Sequence, residues 1–225
     1  MLSAIILAAG QGLRLKTIEP KPLVKIGKFP AIIYSLKSLN RHPDIDEIIV
    51  VISAGNQKAV VQALRKHSFK KIKAFVLGGK RRQDSVYNGL KAVNINTNWV
   101  LIHDSARPFI NQKSITKVIL AAKKTGAAIL GVPVKATIKS IKSKGIVERT
   151  LDRSNLWEIQ TPQVFKKELI FKAYKESSKM QVTDDASLVE KLGKKVKLVS
   201  GSYENIKITT PEDLLFAQAI AGRKC

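Results

Sequence analysis

The chain has 225 residues, and its 40 lysines and arginines against 17 aspartates and glutamates give a formal net charge of +23 at pH 7. Hydrophobic residues make up 44% of the chain and charged residues 25%, a globular composition that excludes an intrinsically disordered protein. The single cysteine, Cys225, excludes an internal disulfide framework, and three histidines are too few for a histidine-rich metal site. The basic excess favours an anionic partner, while no apolar stretch reaches the roughly 20 residues of a membrane span.

Strand-like and helical segments alternate along the first part of the chain. The predicted strands are the apolar runs Leu2–Ala9, Glu47–Ser53, Lys73–Leu77, Trp99–His103 and Ala127–Val134. The helices predicted between them start at Pro30, after Asn56 as an N-cap, around Ser85 and at Gln112. Such alternation implies parallel strands joined by right-handed crossovers, and therefore a three-layer, Rossmann-like α/β fold with a mostly parallel sheet.

The pattern changes in the second part of the chain. Short alternating runs within 137–160, on either side of Lys144-Gly145, predict an inserted β-hairpin. Two helices near Lys167–Ser178 and Asp184–Leu192, a strand at Val196–Val199 and a last helix capped by Thr210 are predicted to follow. We therefore expect one domain over residues 1–225, carrying the hairpin as an arm.

A glycine loop, Ala9–Arg14, directly follows the first strand, where backbone amides can cradle phosphates. The dinucleotide fingerprint fails, because Leu15 stands where its third glycine is required and the second strand ends without an acidic residue. No phosphate-binding GxxxxGK[ST] loop occurs either. Free amides close to Arg14 and Lys21 suit a polyphosphate, although a tight turn with two solvated cations explains the same residues.

Three further positions have a functional and a structural interpretation. Asp104 follows the fourth strand, at the edge where open α/β sheets bind ligands, and suits Mg²⁺ beside phosphates; it could instead cap a turn or pair with Arg107. Ser85 can hydrogen-bond a nucleotide base or cap its helix. Lys207, at the end of a predicted short strand, is on these grounds alone an exposed lysine. His103 points to the opposite face of its strand from Asp104, which indicates a structural role.

A set of motifs, in order along nearly the whole chain, resembles the 2-C-methyl-D-erythritol 4-phosphate cytidylyltransferases, a family with the sugar-nucleotide-type nucleotidyltransferase fold. The motifs are Leu7–Arg14, Pro20-Lys21, Gly78–Val86, His103–Phe109, Gly131–Val134, Thr137–Lys139, Asp152-Arg153, Gln160–Phe165, Thr183–Ser187 and Asn205–Thr209. Each motif is weak by itself, whereas the ordered set is specific.

The resemblance implies a cytoplasmic homodimer that transfers CMP from CTP to 2-C-methyl-D-erythritol 4-phosphate, with release of pyrophosphate, in non-mevalonate isoprenoid synthesis. It also implies Mg²⁺ or another divalent cation, and a hairpin arm that embraces the second subunit. The residues that it places in the site are Arg14, Lys21 and Lys207 as catalytic groups, Ala8, Ala9, Gly10, Gly12, Gly79, Arg82 and Ser85 at the nucleotide, Arg107, Thr137, Arg153, Thr161 and Thr183 at the acceptor, and Asp104 at the metal.

Two other functions remain open at this point. Ala136 replaces the aspartate that commonly precedes the family's threonine, which leaves ribitol 5-phosphate as a competing acceptor. The net charge of +23 would also suit a nucleic-acid-binding module. That class is disfavoured, because the chain has no RNA- or DNA-binding motif and only 6% aromatic residues, with no stacking pattern.

Overall fold

The structure is a computed structural model that describes residues 1–10, 12–15, 17, 19–176 and 181–223. Its strands, in chain order, are β1 (Leu2–Ala8), β2 (Lys25–Ile26), β3 (Phe29–Pro30), β4 (Glu47–Ile52), β5 (Ile72–Leu77), β6 (Trp99–Asp104), β7 (Ala127–Pro133), β8 (Ile138–Ile141), β9 (Val147–Leu151), β10 (Trp157–Lys166) and β11 (Lys197–Ser200). Its helices are α1 (Ala31–Arg41), α2 (Gln57–Arg65), α3 (Arg82–Ala92), α4 (Gln112–Thr125), α5 (Lys167–Glu176), α6 (Ala186–Lys191) and α7 (Pro211–Gly222).

Within the described residues, seven strands form a central sheet in the order β11-β7-β10-β6-β1-β4-β5. Strand β1 lies inside the sheet and pairs in parallel with both β4 and β6, so that Ile5 stands beside Ile49 on one side and Ile102 on the other. Strand β10 runs antiparallel to its neighbours β6 and β7. The predicted α/β fold with a mostly parallel sheet is confirmed.

Helices cover both faces of this sheet, because its inner strands are apolar on both. Successive residues of β1 alternate between two cores: Ala4 and Ile6 pack with α1, α2 and α4, whereas Ile5 packs with α3, α5 and α6. Helix α7 closes a third, smaller core with residues that include Leu15 and Phe109. The result is the predicted three-layer arrangement.

The strand β10 was not predicted, and it shortens the predicted hairpin. Strands β8 and β9 form a separate two-stranded antiparallel sheet, while residues 157–160 belong to the central sheet. Pro162 lies inside β10, between Gln160 and Gln163, where the register with β7 shifts by a bulge. A proline argues against a central strand unless a bulge accommodates it, which explains why the local pattern was misleading.

Three local predictions are wrong. Asn56 precedes α2, but its side chain makes no capping hydrogen bond. Ser85 is not an N-cap, because α3 begins at Arg82 and places Ser85 within its first turns. Lys207 lies in no strand; residues 205–209 form neither helix nor strand, and the Ile208 amide anchors them to the Ala106 carbonyl at 2.9 Å.

The last helix begins as predicted. The Thr210 hydroxyl accepts a hydrogen bond from the Asp213 amide at 3.4 Å, and the Asp213 carboxylate accepts one from the Thr210 amide at 2.9 Å. Ser178 of the predicted 167–178 helix, and Cys225, lie outside the described residues. None of the helices in the described part of the chain is long and apolar enough to cross a bilayer.

Candidate active site

A cavity of about 840 Å³ opens at the carboxyl ends of β1, β4, β5 and β6. Ligands of open α/β sheets bind at this edge, because the loops that follow parallel strands converge there. The cavity brings together these predicted site residues: Ala8, Ala9, Gly10, Gly12, Arg14, Lys21, Gly79, Arg82, Ser85, Asp104 and Lys207. The loop Ser53–Gly55 forms a further wall, to which the sequence analysis assigned no function.

The wall around Ser85 requires glycine at two positions. A Cβ atom on Gly78 would lie 2.6 Å from the Ala9 Cβ atom, and one on Gly79 would lie 2.4 Å from the Asp84 Cβ atom. The Gly79 amide donates to the Ser85 hydroxyl oxygen at 3.1 Å, and that hydroxyl donates to the Arg81 carbonyl at 3.2 Å. Since the single hydroxyl proton is already engaged, Ser85 can offer a bound base a hydrogen-bond acceptor.

The part of the cavity around Gly12 and Lys21 is cationic. Gly12 has a φ of +71° and packs so closely on Lys21 that a Cβ atom there would lie 2.7 Å from the Lys21 Cβ atom. Burial, together with the nearby charges of Lys207 and Arg14, lowers the pKa of Lys21 from 10.5 to about 8, against an opposite effect of Asp104. Cations held this close together, at a loop of glycines, need an anionic ligand and suit a polyphosphate.

Asp104 lies between two of the basic side chains. Its Oδ1 atom accepts a hydrogen bond from Arg82 Nε at 3.2 Å, and its Oδ2 atom accepts one from Lys207 Nζ at 2.6 Å. Burial by itself would raise the pKa of the Asp104 carboxyl, but Arg82 and Lys207 outweigh it and hold the pKa well below its usual range. The carboxylate is therefore ionised. The Arg107 amide donates to the Asp104 carbonyl at 2.9 Å in the turn that follows β6, and the nearby Arg107 charge also helps to lower the pKa of the Asp104 carboxyl.

A second cavity, of about 410 Å³, adjoins the first. Arg82, Asp104 and Lys207 line both cavities and so form their common wall. The smaller cavity also brings together three predicted acceptor residues: Arg107, Thr161 and Thr183. Two adjoining spaces that share a row of charged residues, each with arginine and lysine in its lining, suit the joining of two phosphorylated substrates.

Comparison with known proteins agrees with this geometry. The family model for 2-C-methyl-D-erythritol 4-phosphate cytidylyltransferase matches residues 2–223. The chain belongs to this family. Relatives named as this enzyme include those of Desulforamulus reducens, 46% identical over 98% of this chain and 96% of theirs, and Geobacillus thermodenitrificans, 45% identical over 98% and 97%. The prediction of the family, and of a nucleotidyltransferase, is confirmed.

Solved structures of the same family superpose on the chain over nearly its full length. The 4-diphosphocytidyl-2C-methyl-D-erythritol synthase of Anaerococcus prevotii has a TM-score of 0.86 and 39% identity, and covers 99% of this chain and 96% of its own. The cytidylyltransferase of Thermus thermophilus has a TM-score of 0.80 and 31% identity, with 98% of each chain covered. Among the functions considered from the sequence, these matches favour the cytidylyltransferase acting on methylerythritol phosphate.

In this cytidylyltransferase a buried ion pair orients Arg82. The Arg82 guanidinium donates to Asp185 Oδ2 at 2.8 Å, and Asp185 is fully buried. Tyr174 donates to Asp185 Oδ1 at 2.5 Å, and burial, reinforced by Asp185, raises the pKa of Tyr174, so the phenol stays a neutral donor. Sequence reasoning missed both residues, although the quoted motif Thr183–Ser187 contains Asp185.

Next to the smaller cavity of the cytidylyltransferase, His103 is completely buried and holds residues of its wall. Its Nε2 atom donates to the Arg107 carbonyl at 3.1 Å, which leaves Nδ1 to accept from the Thr161 hydroxyl at 3.1 Å. Thr161 in turn accepts from the Asp104 amide at 3.0 Å. Burial lowers the pKa of His103 from 6.5 to about 4, so the ring is neutral and its role is to hold these residues in place.

Arg107 presents an unused donor near this smaller cavity. Its guanidinium donates to the Asn205 carbonyl at 2.7 Å and to the Ile159 carbonyl at 3.1 Å. Its Nε atom is buried and has no hydrogen-bond partner among the described residues. A half-buried cation with a spare donor suits an anionic ligand.

Two predicted acceptor residues, Thr137 and Arg153, line neither cavity. Thr137 precedes β8 and Arg153 follows β9, so both lie at the base of the hairpin. The Arg153 guanidinium donates to the Lys135 carbonyl. Within one chain of the cytidylyltransferase, these two residues are therefore separate from the residues that line the site.

Proposed function

We propose that this chain transfers CMP from CTP to 2-C-methyl-D-erythritol 4-phosphate and releases pyrophosphate. The observation that supports it most is the wall of Arg82, Asp104 and Lys207, which two adjoining cavities share. The larger cavity, with its glycine loop and cations, would take CTP, and the smaller one would take the polyol phosphate. The proposal includes a cytoplasmic location, because CTP is the donor.

The reaction joins the two substrates across this wall. An oxygen of the acceptor phosphate forms a bond to the α-phosphorus of CTP, the bond from that phosphorus to the bridging oxygen breaks, and its electron pair leaves with pyrophosphate. Negative charge grows on the non-bridging and leaving oxygens, where Arg14, Lys21 and Lys207 would stabilise it. The nucleophile is already an anion, so the step needs no general base.

The proposal includes Mg²⁺ or another divalent cation, with Asp104 as its protein ligand. Mg²⁺ takes one or two protein carboxylates and fills its other positions with phosphate oxygens and water. A carboxylate has about four lone-pair sites, and hydrogen bonds from Arg82 and Lys207 use two of those on Asp104. In the described part of the chain no group of three or more His, Cys, Asp or Glu side chains could hold a metal alone. The donor set fits a metal whose further ligands come from CTP and whose charge neutralises phosphate oxygens.

The test is a panel of pyrophosphate-release assays with the purified protein, CTP and Mg²⁺. We expect release with 2-C-methyl-D-erythritol 4-phosphate and little with ribitol 5-phosphate, and the product should contain one CMP unit per pyrophosphate. Release that is faster with ribitol 5-phosphate would refute the proposed acceptor. Absence of release with either polyol phosphate would refute the reaction itself.

We further propose that the chain acts as a homodimer in which the hairpin arm, formed by β8 and β9 and the residues at its base, completes the partner's site. The hairpin carries three exposed apolar side chains, Ile141, Ile146 and Val147, which a second subunit would cover. Thr137 and Arg153, at the base of the arm, would then reach the acceptor bound by the other subunit. This would account for their position outside both cavities of their own chain.

A mixing experiment tests this arrangement. Assayed at an acceptor concentration below the wild-type KM, the variants Arg153→Glu and Lys207→Ala are each expected to keep at most about a tenth of wild-type activity, the first because its acceptor KM rises at least about tenfold. If Arg153 acts across the dimer, an equimolar mixture should recover about a quarter of wild-type activity, because half of the dimers are hybrids with one intact site. No recovery after subunit exchange, or a monomer by light scattering, would contradict the shared site.

A further inference from the structure

The side chain of Asn56 joins the ends of two strands beneath the larger cavity. Asn56 is 4% exposed, and its Nδ2 atom donates to the Ala8 carbonyl at 2.8 Å. Its Oδ1 atom accepts from the Ser53 amide at 2.9 Å. Both ends of the amide are therefore used, and neither caps α2, at whose start the residue lies.

The position of this link matters because the strand ladder ends there. The pairing of β1 with β4 stops at Ala8 and Ile52, and beyond it the two strands continue as separate loops. The loop after β1 places Ala9, Gly10 and Gly12 at the larger cavity, and the loop after β4 places Ser53–Gly55 there. The Asn56 amide supplies hydrogen bonds between the strand ends where the backbone no longer does.

We propose that Asn56 is a positioning residue for the nucleotide, an inference that rests on the proposed function of the larger cavity. It fixes the distance between the glycine loop and the Ser53–Gly55 wall, and acts through Ala8 without lining the cavity itself. The smaller cavity contains none of these loop residues. The effect of Asn56 is therefore specific to CTP and does not extend to the acceptor.

Two variants separate the hydrogen bonds of Asn56. Asn56→Ala removes both, whereas Asn56→Asp keeps the acceptor for the Ser53 amide and loses the donor to Ala8 at neutral pH. We expect the Kd for CTP, measured by calorimetry, and the KM for CTP to rise about tenfold in both, with kcat and the acceptor KM changed less than twofold. If Asn56→Ala does not fold, Asn56→Asp carries the same test.

The pH dependence of Asn56→Asp gives a readout that general loss of structure would not. Burial raises the pKa of a carboxyl placed at this position, which is 4% exposed. A protonated carboxyl can donate to the Ala8 carbonyl, so the CTP affinity of this variant relative to wild type should recover as the pH is lowered from 7.5 to about 5.5. A relative affinity that stays constant over this range would count against the proposed hydrogen bond.

Val60→Ala is the matched control, because Val60 lies one turn further along α2, is fully buried in the core and lines neither cavity. It should lower the melting temperature without changing the Kd for CTP. An equal rise in Kd in this variant, or an unchanged Kd in Asn56→Ala, overturns the inference. Wild-type protein that neither binds CTP nor releases pyrophosphate refutes the proposed function instead, so the two failures are distinguishable.

Discussion

Raising the pH above 8 should weaken the use of CTP, because Lys21 then loses its charge. Burial and the neighbouring cations Lys207 and Arg14 lower its pKa from 10.5 to about 8 in the protein without nucleotide. Only the charged ammonium attracts the triphosphate, so the protonated form is the one that binds productively. Activity that depends on Lys21 is complete well below pH 8 and lost above it.

The size of the effect follows from the position of the pKa. With a pKa of about 8, the charged fraction of Lys21 falls from about nine-tenths at pH 7 to about one-tenth at pH 9. The value of kcat/KM for CTP reports groups of the free enzyme, and should therefore fall about tenfold over this range, with a limiting slope of −1 on a logarithmic plot.

The assay is the initial rate of pyrophosphate release at saturating acceptor, from pH 7 to 9.5 at constant ionic strength. Lys21→Arg provides the control, because a guanidinium remains charged throughout and its profile should be flat whatever its absolute activity. An inflection near pH 8 that persists in Lys21→Arg would assign the titration to another group. A flat wild-type profile would show that the pKa of Lys21 is not lowered, and the cationic-cluster argument would fail.

Three further predictions concern the common wall and its support. Lys207→Ala should lower kcat/KM for CTP at least about 100-fold in steady-state assays. Lys117→Ala, the control, removes an equal charge from the exposed face of α4 and should have little effect. Asp104→Asn should raise the Mg²⁺ concentration for half-maximal activity at least about tenfold in a metal titration; an unchanged midpoint would exclude Asp104 as a ligand. Because the pKa of His103 is lowered to about 4, its neutral form stabilises the fold above pH 6.5 and this contribution is lost towards pH 4. The free energy of unfolding, measured with urea, should therefore fall between pH 7 and pH 4.5 in the wild type. This fall should be about 2–3 kcal/mol larger than in His103→Gln.

The parallel half of the sheet was predictable, because strands buried on both faces contain uninterrupted apolar runs. All six residues of β4 are buried, and the sequence shows them as one run, Glu47–Ile52. Strand β10 offers no such pattern, since it buries Gln160 and Gln163. Gln163 is satisfied by Asp184 at 2.9 Å and by the Ala186 amide at 3.1 Å, and such partners from a later helix are invisible in a local window.

In the candidate site, too, residues could be interpreted where a local motif sufficed, and were misread where the hydrogen-bond partner is distant in the sequence. The glycine loop could be assigned to phosphate from its own residues, but Asn56 was misread as a helix cap, because asparagine before a helix usually is one. Its actual partner, the Ala8 carbonyl, is 48 residues away. Lys207 was similarly placed in a strand, whereas a turn and the contacts of Asn205 and Ile208 hold its segment.

The common wall explains why the net charge pointed to phosphate without identifying the reaction. Its members come from three separate segments: Asp104 is 22 residues from Arg82 and 103 residues from Lys207. Composition counts Arg82 and Lys207 with every other basic residue of a chain of net charge +23. Only the fold brings Arg82 and Lys207 into contact with the buried carboxylate of Asp104, in the wall between the two cavities. Two cations that a single carboxylate holds in place are already oriented when the substrates bind, and such preorganised charge is what phosphoryl transfer requires.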